Sequence, residues 1–335
     1  MSSSLNNFVT PENFGHDFLH IKPETIYKQC SEDFKDLITS QQFKELIQTF
    51  NKNVKSYHFL QTTSIGGLNQ YLWLDTRKKK YICVAFDSSN TIHRLLLKPY
   101  LTYPKSDQRY TKKFYNMPIN AEWFVFWGGK NEFLNYHYAY ESQRYAYDLV
   151  IMKDNQTYED NHARNENYFA FNQEVVAPDS GTVVKVMNHV PDNIPGEMNE
   201  QAPAGNHVIL KHLNNEYSLL AHFKQHSITV KKGDQVKQGQ VLGLCGNSGN
   251  SSEPHIHFQV MNSPNLKKCK SRCIRFSNGV EPIQGDLVRE GPLFYNTAIT
   301  RSRSSDKLES AELIVLLGEA LITIPRFIFS LFKTF

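Results

Sequence analysis

The spacing of apolar positions changes within the first hundred residues. Between residues 24 and 55, apolar side chains recur at helical spacing in the segments ETIYKQCSEDFKDLI and SQQFKELIQTF, which predicts amphipathic helices. From residue 57 to residue 100, the segments YHFLQTT, NQYLWLDT, KKKYICVAF and HRLLLKPYL have period-two patterns and turn residues between them. These predict an antiparallel meander. Helices followed by a small sheet indicate a small α+β domain over residues 1–105.

The middle of the chain is predicted to be a separate all-β domain. Residues 106–120 (SDQRYTKKFYNMPIN) are mostly polar and are predicted to be a linker. After them, short apolar segments interrupted by Gly, Pro, Asn and Asp continue to about residue 262, which is typical of many short strands. We assign this domain, with its following loops, to residues 121–299, and the polar residues 300–311 to a second linker.

The last 24 positions are strongly apolar. Residues 312–335 (ELIVLLGEALITIPRFIFSLFKTF) are interrupted by Glu319, Pro325 and Arg326, so they do not form the uninterrupted run of about 20 apolar residues that a membrane span needs. The segment predicts an apolar helix that anchors the chain at a membrane interface or forms a re-entrant helix, with a helix packed on the domain as the alternative. The N-terminal residues have no basic and apolar signal-peptide pattern. Localisation is left open between the membrane and the cell envelope.

Charge and cysteine content exclude some classes of function. The formal net charge is +4, and no basic stripe interleaved with aromatic residues is present, so no nucleic-acid partner is predicted. The five cysteines are an odd number without a CxxC motif, which disfavours a disulfide scaffold or a zinc finger. The chemistry must come from other residues.

The segment PHIHFQV (254–260) contains the most informative pair of residues. In a strand, His255 and His257 project from the same face because side chains alternate with a period of two. Nearby, VVAPDSGTVVKV (175–186) and VKKGDQVKQGQVLGLCG (230–246) have the strand and turn pattern of lipoyl and biotinyl carriers. A carrier needs a lysine at a hairpin tip, and no such tip is found, so the carrier is the least favoured function.

With the histidines included, residues 120–262 resemble the lysostaphin-type, LytM-like zinc endopeptidases of bacterial peptidoglycan. The resemblance rests on GNHVILKH, EYSLLAHF, GLCGNSGNSS and PHIHFQV, which follow one another in this order. It implies a duplicated hybrid motif with a barrel-sandwich-like β fold. The N-terminal domain is similar to cystatin-like or nuclear-transport-factor-like domains.

The family pattern implies a role for individual residues. His257 and Asp148 would be zinc ligands, while His222 and His255 would face the substrate and help deprotonate water or bind the oxyanion. The family usually has His-x-x-x-Asp, but the position four residues before Asp148 is Arg144, which cannot bind zinc.

Another residue must therefore supply the third ligand. His137, in NYHYAYESQRYAYD, is the first candidate, because the eleven residues to Asp148 allow the chain to fold back beside the same strand. His162 is the second candidate, and a site without a third ligand remains the other alternative.

The sequence thus predicts a zinc metalloendopeptidase with one Zn²⁺ per chain, acting on peptidoglycan peptides. Two histidines and a carboxylate leave the fourth zinc position to water, which suits catalysis. Because of Arg144, the main alternative is an inactive LytM-like module that binds peptidoglycan or activates another hydrolase. A membrane partner is expected only through residues 312–335.

Overall fold

The computed structural model describes residues 8–65 and 67–289. The described chain is mostly β-sheet with few helices, and it divides into two compact units between Leu101 and Thr102. Within the described ranges, no helix is both long and apolar enough to cross a membrane. The predicted linker 300–311 and the predicted apolar tail 312–335 lie outside these residues.

The first unit begins with four short helices. Their bounds are α1 Phe14–His20, α2 Pro23–Lys28, α3 Glu32–Leu37 and α4 Ser40–Asn51. Helix α4 starts at a capping box, in which the Thr39 side chain accepts from the backbone N–H of Gln42 and the Gln42 side chain accepts from the N–H of Thr39. These two hydrogen bonds satisfy backbone N–H groups that the start of a helix otherwise leaves unpaired.

A four-stranded antiparallel sheet follows the helices. Its strands pair in chain order and are β1 Tyr57–Ile65, β2 Leu68–Asp75, β3 Lys80–Phe86 and β4 Ile92–Pro99. Phe14, Phe18 and Phe43 of the helices pack with Trp73 and Phe86 of the sheet in one buried cluster. This burial of aromatic side chains stabilises the unit.

The second unit is built from short strands with one short helix, α5 Pro104–Asp107. The strands are β5 Tyr110–Tyr115, β6 Trp123–Trp127, β7 Tyr147–Val150, β8 Glu174–Val176, β9 Gly181–Met187, β10 Asn206–Lys211, β11 Tyr217–Phe223, β12 Gln235–Val236, β13 Val241–Leu244, β14 Ile256–Met261, β15 Ser271–Phe276 and β16 Leu287–Val288. The large sheet has the order β12-β9-β10-β11-β14-β7-β6-β16, and β8 pairs with β13 in a separate small sheet.

The two faces of the large sheet differ in character. One face carries Val208, Leu220 and Phe258, which belong to the main buried core. The other face carries Ala221 and His257, which are direct cross-strand partners and line a cleft. Since side chains alternate along a strand, the apolar core fixes which residues of β11 and β14 face the cleft.

Residues 106–120 differ from the predicted linker, because they contain strand β5. This strand pairs in parallel with β15. The buried Glu216 carboxylate accepts from the backbone N–H groups of Lys112 and Lys113 and from the Tyr115 hydroxyl. Strand β5 is mostly polar, and its partners lie about a hundred or more residues away in the chain. No local pattern therefore predicts it.

Candidate metal centre and cleft

Asp148 and His257 are brought together by strand register. They are direct partners in the antiparallel pair of β7 and β14, and directly opposite side chains of such a pair share a face. His257 Nδ1 lies 2.9 Å from Asp148 Oδ1. Both residues are buried, at 6% and 4% exposure.

His137 reaches the same carboxylate from a loop. It lies in the 3-10 turn Tyr136–Ala139, before which the Asn135 side chain accepts from the His137 N–H. The His137 Nε2 atom lies 2.9 Å from Asp148 Oδ2. Its Nδ1 atom is buried and has no hydrogen-bond partner in the described part of the chain, so Nε2 is the nitrogen directed at the cluster.

These three side chains form a group suited to one metal ion. One ligand atom from each of His137, Asp148 and His257 lies within 4.8 Å of the others. Burial lowers the pKa of His137. Burial would raise the pKa of the Asp148 carboxyl, but the neighbouring His137 holds it well below its usual range. A neutral imidazole beside a carboxylate is the protonation state that binds a divalent cation.

The contact between His257 and Asp148 needs a cation or a proton to be favourable. Gln259 Nε2 donates to the carbonyl oxygen of Ser142 at 3.0 Å, which turns its Oε1 toward His257. His257 Nε2 lies 3.0 Å from this oxygen and therefore donates to it. The Nδ1 lone pair then faces the Asp148 carboxylate, so the donor set fits a metal ion between the two groups.

His222 lies at the end of β11 in an unusual backbone conformation. Its φ is 69°, in the left-handed region that costs energy for residues other than glycine. Ala221 already faces the cleft, so a regular strand would direct His222 toward the core. The positive φ instead brings its ring centroid to 4.7 Å from that of His255 and 6.1 Å from that of His257.

His222 and His255 are held as the same tautomer. His222 Nδ1 donates to the Ser248 carbonyl oxygen at 2.7 Å, and His255 Nδ1 donates to the Glu253 carbonyl oxygen at 2.8 Å. The Nε2 atom of each ring is therefore left as a proton acceptor. Burial lowers the pKa of His222 well below its ordinary value, which keeps that ring neutral at neutral pH. The His255 Nε2 atom lies 4.0 Å from Asp148 Oδ1.

Arg144, at the position where the family pattern has a histidine, contacts Tyr103 and Tyr138 and does not act as a metal ligand. Its guanidinium carbon lies 3.5 Å from the centroid of the Tyr103 ring, and its Nε donates to the Tyr138 carbonyl oxygen at 2.8 Å. The side chain thereby holds the turn that carries His137. His162 does not belong to the three-residue group described above.

Two residues of the site were not identified from the sequence. Gln259 shares a strand face with His257, and this period-two relation was the available signal. Asn135 is fully buried, and its Nδ2 donates to the carbonyl oxygens of Gly129 and Ala146. These bonds organise the loop before Asp148, and no local pattern indicates them.

A cleft lies beside the cluster. It encloses about 80 Å³ and is lined by His137, His222, His257 and Gln259 together with small or apolar residues that include Ala204 and Ala221. No Asp, Glu, Lys or Arg lines it among the residues that the structure describes. Histidines are therefore the titratable side chains lining this cleft that could take part in proton transfer.

Comparison with known proteins gives a family match for part of the chain. Residues 162–269 match the model of Peptidase family M23. The chain contains an M23 peptidase domain. The resemblance inferred from the histidine motifs is thereby confirmed, and the match includes His222, His255 and His257. His137 and Asp148 precede the matched residues of the M23 domain.

Relatives and solved structures cover only parts of the chain. The peptidoglycan DD-endopeptidase ShyA of Vibrio cholerae is 35% identical over 91 residues, which are 26% of this chain and 21% of ShyA. Lysostaphin of Staphylococcus staphylolyticus is 56% identical over 32 residues, 10% of this chain and 7% of lysostaphin. The structure of lysostaphin from Staphylococcus simulans is 25% identical, covers 38% of this chain and 40% of its own, and has a TM-score of 0.25. This chain therefore spans about a fifth of the length of ShyA and less than a tenth of the length of lysostaphin.

Proposed function

We propose that this protein is a zinc-dependent endopeptidase that hydrolyses peptide bonds in the cross-links or stem peptides of peptidoglycan. The observation that carries the proposal is the convergence of His257 Nδ1, His137 Nε2 and the Asp148 carboxylate on one point. Two imidazole nitrogens and a carboxylate oxygen are a common ligand set of catalytic zinc, with a position left for water or substrate. The M23 match and the names of the relatives support the reaction class and the substrate.

In this proposal His137, Asp148 and His257 hold the ion. Bound zinc supplies a Lewis acid that acidifies a water molecule and polarises the scissile carbonyl. The Gln259 side chain fixes the His257 tautomer that presents Nδ1. Arg144 has no ligand role, since its guanidinium lies against Tyr103.

His222 and His255 move the protons. The water oxygen bonds to the carbonyl carbon while its proton passes to the Nε2 atom of one of these rings, which accepts it because Nδ1 already carries the ring proton. The protonated ring can then donate to the oxyanion. When the C–N bond breaks, this proton is delivered to the leaving amine, so the ring returns to its starting state.

The low exposure of the site supports such chemistry, because charges interact more strongly away from bulk water. His222 is 6% exposed and His257 is also 6% exposed. The cleft beside them is lined by Ala204 and Ala221, whose short side chains leave room for a peptide backbone next to the histidines.

The test combines metal analysis with hydrolysis of purified peptidoglycan. Wild-type protein is expected to hold about one zinc per chain and to release new amino groups from the polymer. His257→Ala is expected to lose both properties. The matched control is His189→Ala, because His189 is an exposed histidine of the same unit. Metal-free, folded wild-type protein that binds peptidoglycan without cutting it would contradict the proposal.

A further inference from the structure

Gln259 is buried between two parts of the site. It is 2% exposed and shares one face of β14 with His257, two positions before it. Its side-chain oxygen accepts from His257 Nε2 at 3.0 Å, and its side-chain nitrogen donates to the Ser142 carbonyl oxygen at 3.0 Å. Ser142 lies on the loop between His137 and Asp148, so one amide joins the strand of one ligand to the loop of another.

The orientation of this amide is set by its two partners. A carbonyl oxygen such as that of Ser142 can only accept, so the NH₂ end of the amide must face it. The oxygen end therefore faces His257 and requires a proton on Nε2. This places the lone pair of His257 on Nδ1, beside the Asp148 carboxylate.

We propose that Gln259 is a positioning residue that holds His257 in its metal-binding tautomer and fixes the His137 loop against β14. This inference rests on the proposed zinc-dependent function. A ligand imidazole that donates its other N–H to a fixed acceptor has its ring orientation and tautomer set, and loss of such an acceptor typically lowers metal affinity 10- to 100-fold. Here the acceptor is an amide that also contacts the loop.

The experiment measures zinc affinity by competition with a chromophoric chelator, without any activity assay. Gln259→Met keeps the approximate volume and removes the acceptor, so zinc affinity is expected to fall about 10- to 100-fold. Gln259→Glu keeps an oxygen for His257 Nε2 and loses only the donor to the Ser142 carbonyl oxygen, so its affinity is expected to fall less than that of Gln259→Met. The matched control is Ser218→Ala, which removes the hydroxyl that bonds His212 Nε2 at 2.8 Å outside the site.

A spectroscopic measurement on wild-type protein supports the variants. In zinc-loaded protein labelled with ¹⁵N-histidine, His257 is expected to carry its proton on Nε2 and to have Nδ1 bound to the metal. If Gln259→Met does not fold, this spectrum and Gln259→Glu decide the matter. A His257 that binds zinc through Nε2 overturns the inference.

The outcomes separate this inference from the proposed function. Equal zinc affinity in wild type and Gln259→Met overturns the positioning role while leaving the zinc site intact. Equal losses in Gln259→Met and Gln259→Glu overturn the tautomer role, because they show that the acceptor for His257 Nε2 contributes nothing to zinc affinity. A folded wild-type protein that binds no zinc overturns both.

Discussion

Asp148 and His257 lie directly opposite each other on β7 and β14, with Asp148 Oδ1 at 2.9 Å from His257 Nδ1. The rigid part of the candidate metal centre is thus a cross-strand pair, whose register is set by the buried side chains of the opposite face. His137 is different, because it reaches the same carboxylate from a loop. Variants of the strand residues and of the loop residues separate the two contributions.

Replacing His137 distinguishes it from the other candidate for the third ligand. His137→Ala is expected to abolish stoichiometric zinc binding, because a site reduced to Asp148 and His257 lacks the usual third protein ligand. His162→Ala is expected to retain about one zinc per chain. Metal analysis of both purified variants checks this, and a zinc-free His162→Ala with zinc-bound His137→Ala would reverse the assignment.

The loop that carries His137 is expected to depend on Asn135. Asn135→Ala removes the acceptor of the His137 N–H and leaves the Ala146 carbonyl oxygen without its side-chain donor. Unfulfilled buried polar groups cost about 1–3 kcal/mol each, so we expect about 2–4 kcal/mol less stability and weaker zinc binding. Denaturant unfolding and chelator competition measure the two effects.

Asn135→Asp supplies the control for this prediction. It keeps an oxygen for the His137 N–H but loses the NH₂ group that bonds Gly129 and Ala146. Zinc affinity is expected to be closer to wild type than in Asn135→Ala. If both variants bind zinc as tightly as wild type, the turn does not depend on Asn135.

Arg144 is expected to contribute stability but no metal ligand. Arg144→Met removes the stacking on Tyr103 and the bond to the Tyr138 carbonyl oxygen. Cation–π contacts are worth about 0.5–2 kcal/mol, and a hydrogen bond from a charged group about 1.5–3 kcal/mol. We therefore expect a loss of about 2–4 kcal/mol in the free energy of unfolding and weaker zinc affinity through the turn of His137, with about one zinc per chain still bound at saturating zinc. Loss of zinc from a fully folded Arg144→Met would contradict this division of roles.

Part of the geometry of the candidate site could be predicted from sequence, because Asp148 and His257 lie on paired strands. The His-x-His motif predicts which face of β14 carries His257, and the pattern around Asp148 indicates a second strand. Pairing of β7 with β14 then places the two side chains next to each other. His137 was selected as a candidate ligand because position 144 is an arginine, which cannot bind zinc. The conformation of His222 could not be inferred, because its positive φ depends on the contacts of the finished fold.

In the fold, too, features that depend on local sequence could be predicted, and features that depend on long-range contacts could not. The period-two segments between residues 57 and 100 correspond to β1–β4, whose pairs are local in sequence. Strand β5 was assigned to a linker, because its parallel partner β15 and the carboxylate of Glu216 are distant in sequence. Local patterns predict local pairing well and carry little information on such long-range contacts.

His222 and His255 are expected to serve catalysis without holding the metal. Their replacement by alanine, one at a time, should lower kcat about 10²- to 10⁴-fold, the usual contribution of general acid–base catalysis. Zinc content should stay near one per chain, because neither residue belongs to the three-ligand group. Peptidoglycan hydrolysis and metal analysis on the same samples check both statements. Full activity of both variants would exclude the proposed proton transfer.

Stability is expected to depend on pH through His207, which lies in β10 away from the metal centre. His207 is 4% exposed, and burial lowers its pKa to about 4, while an unfolded histidine has a pKa of about 6.5. The unfolded chain therefore binds the proton first as pH falls, so this contribution is complete above pH 6.5 and is lost between pH 6.5 and 4.

The size of the pH effect on stability follows from the difference between the folded and unfolded pKa values of His207. Between pH 7.5 and pH 5, the shift to about 4 corresponds to a loss of about 2 kcal/mol from His207 alone. Denaturant unfolding of wild type and His207→Gln at both pH values measures it, and the difference between the two pH values should be about 2 kcal/mol smaller in the variant. His189→Ala, at an exposed histidine, should keep the wild-type pH dependence. An identical pH dependence in His207→Gln and wild type would mean that His207 is not held neutral by burial.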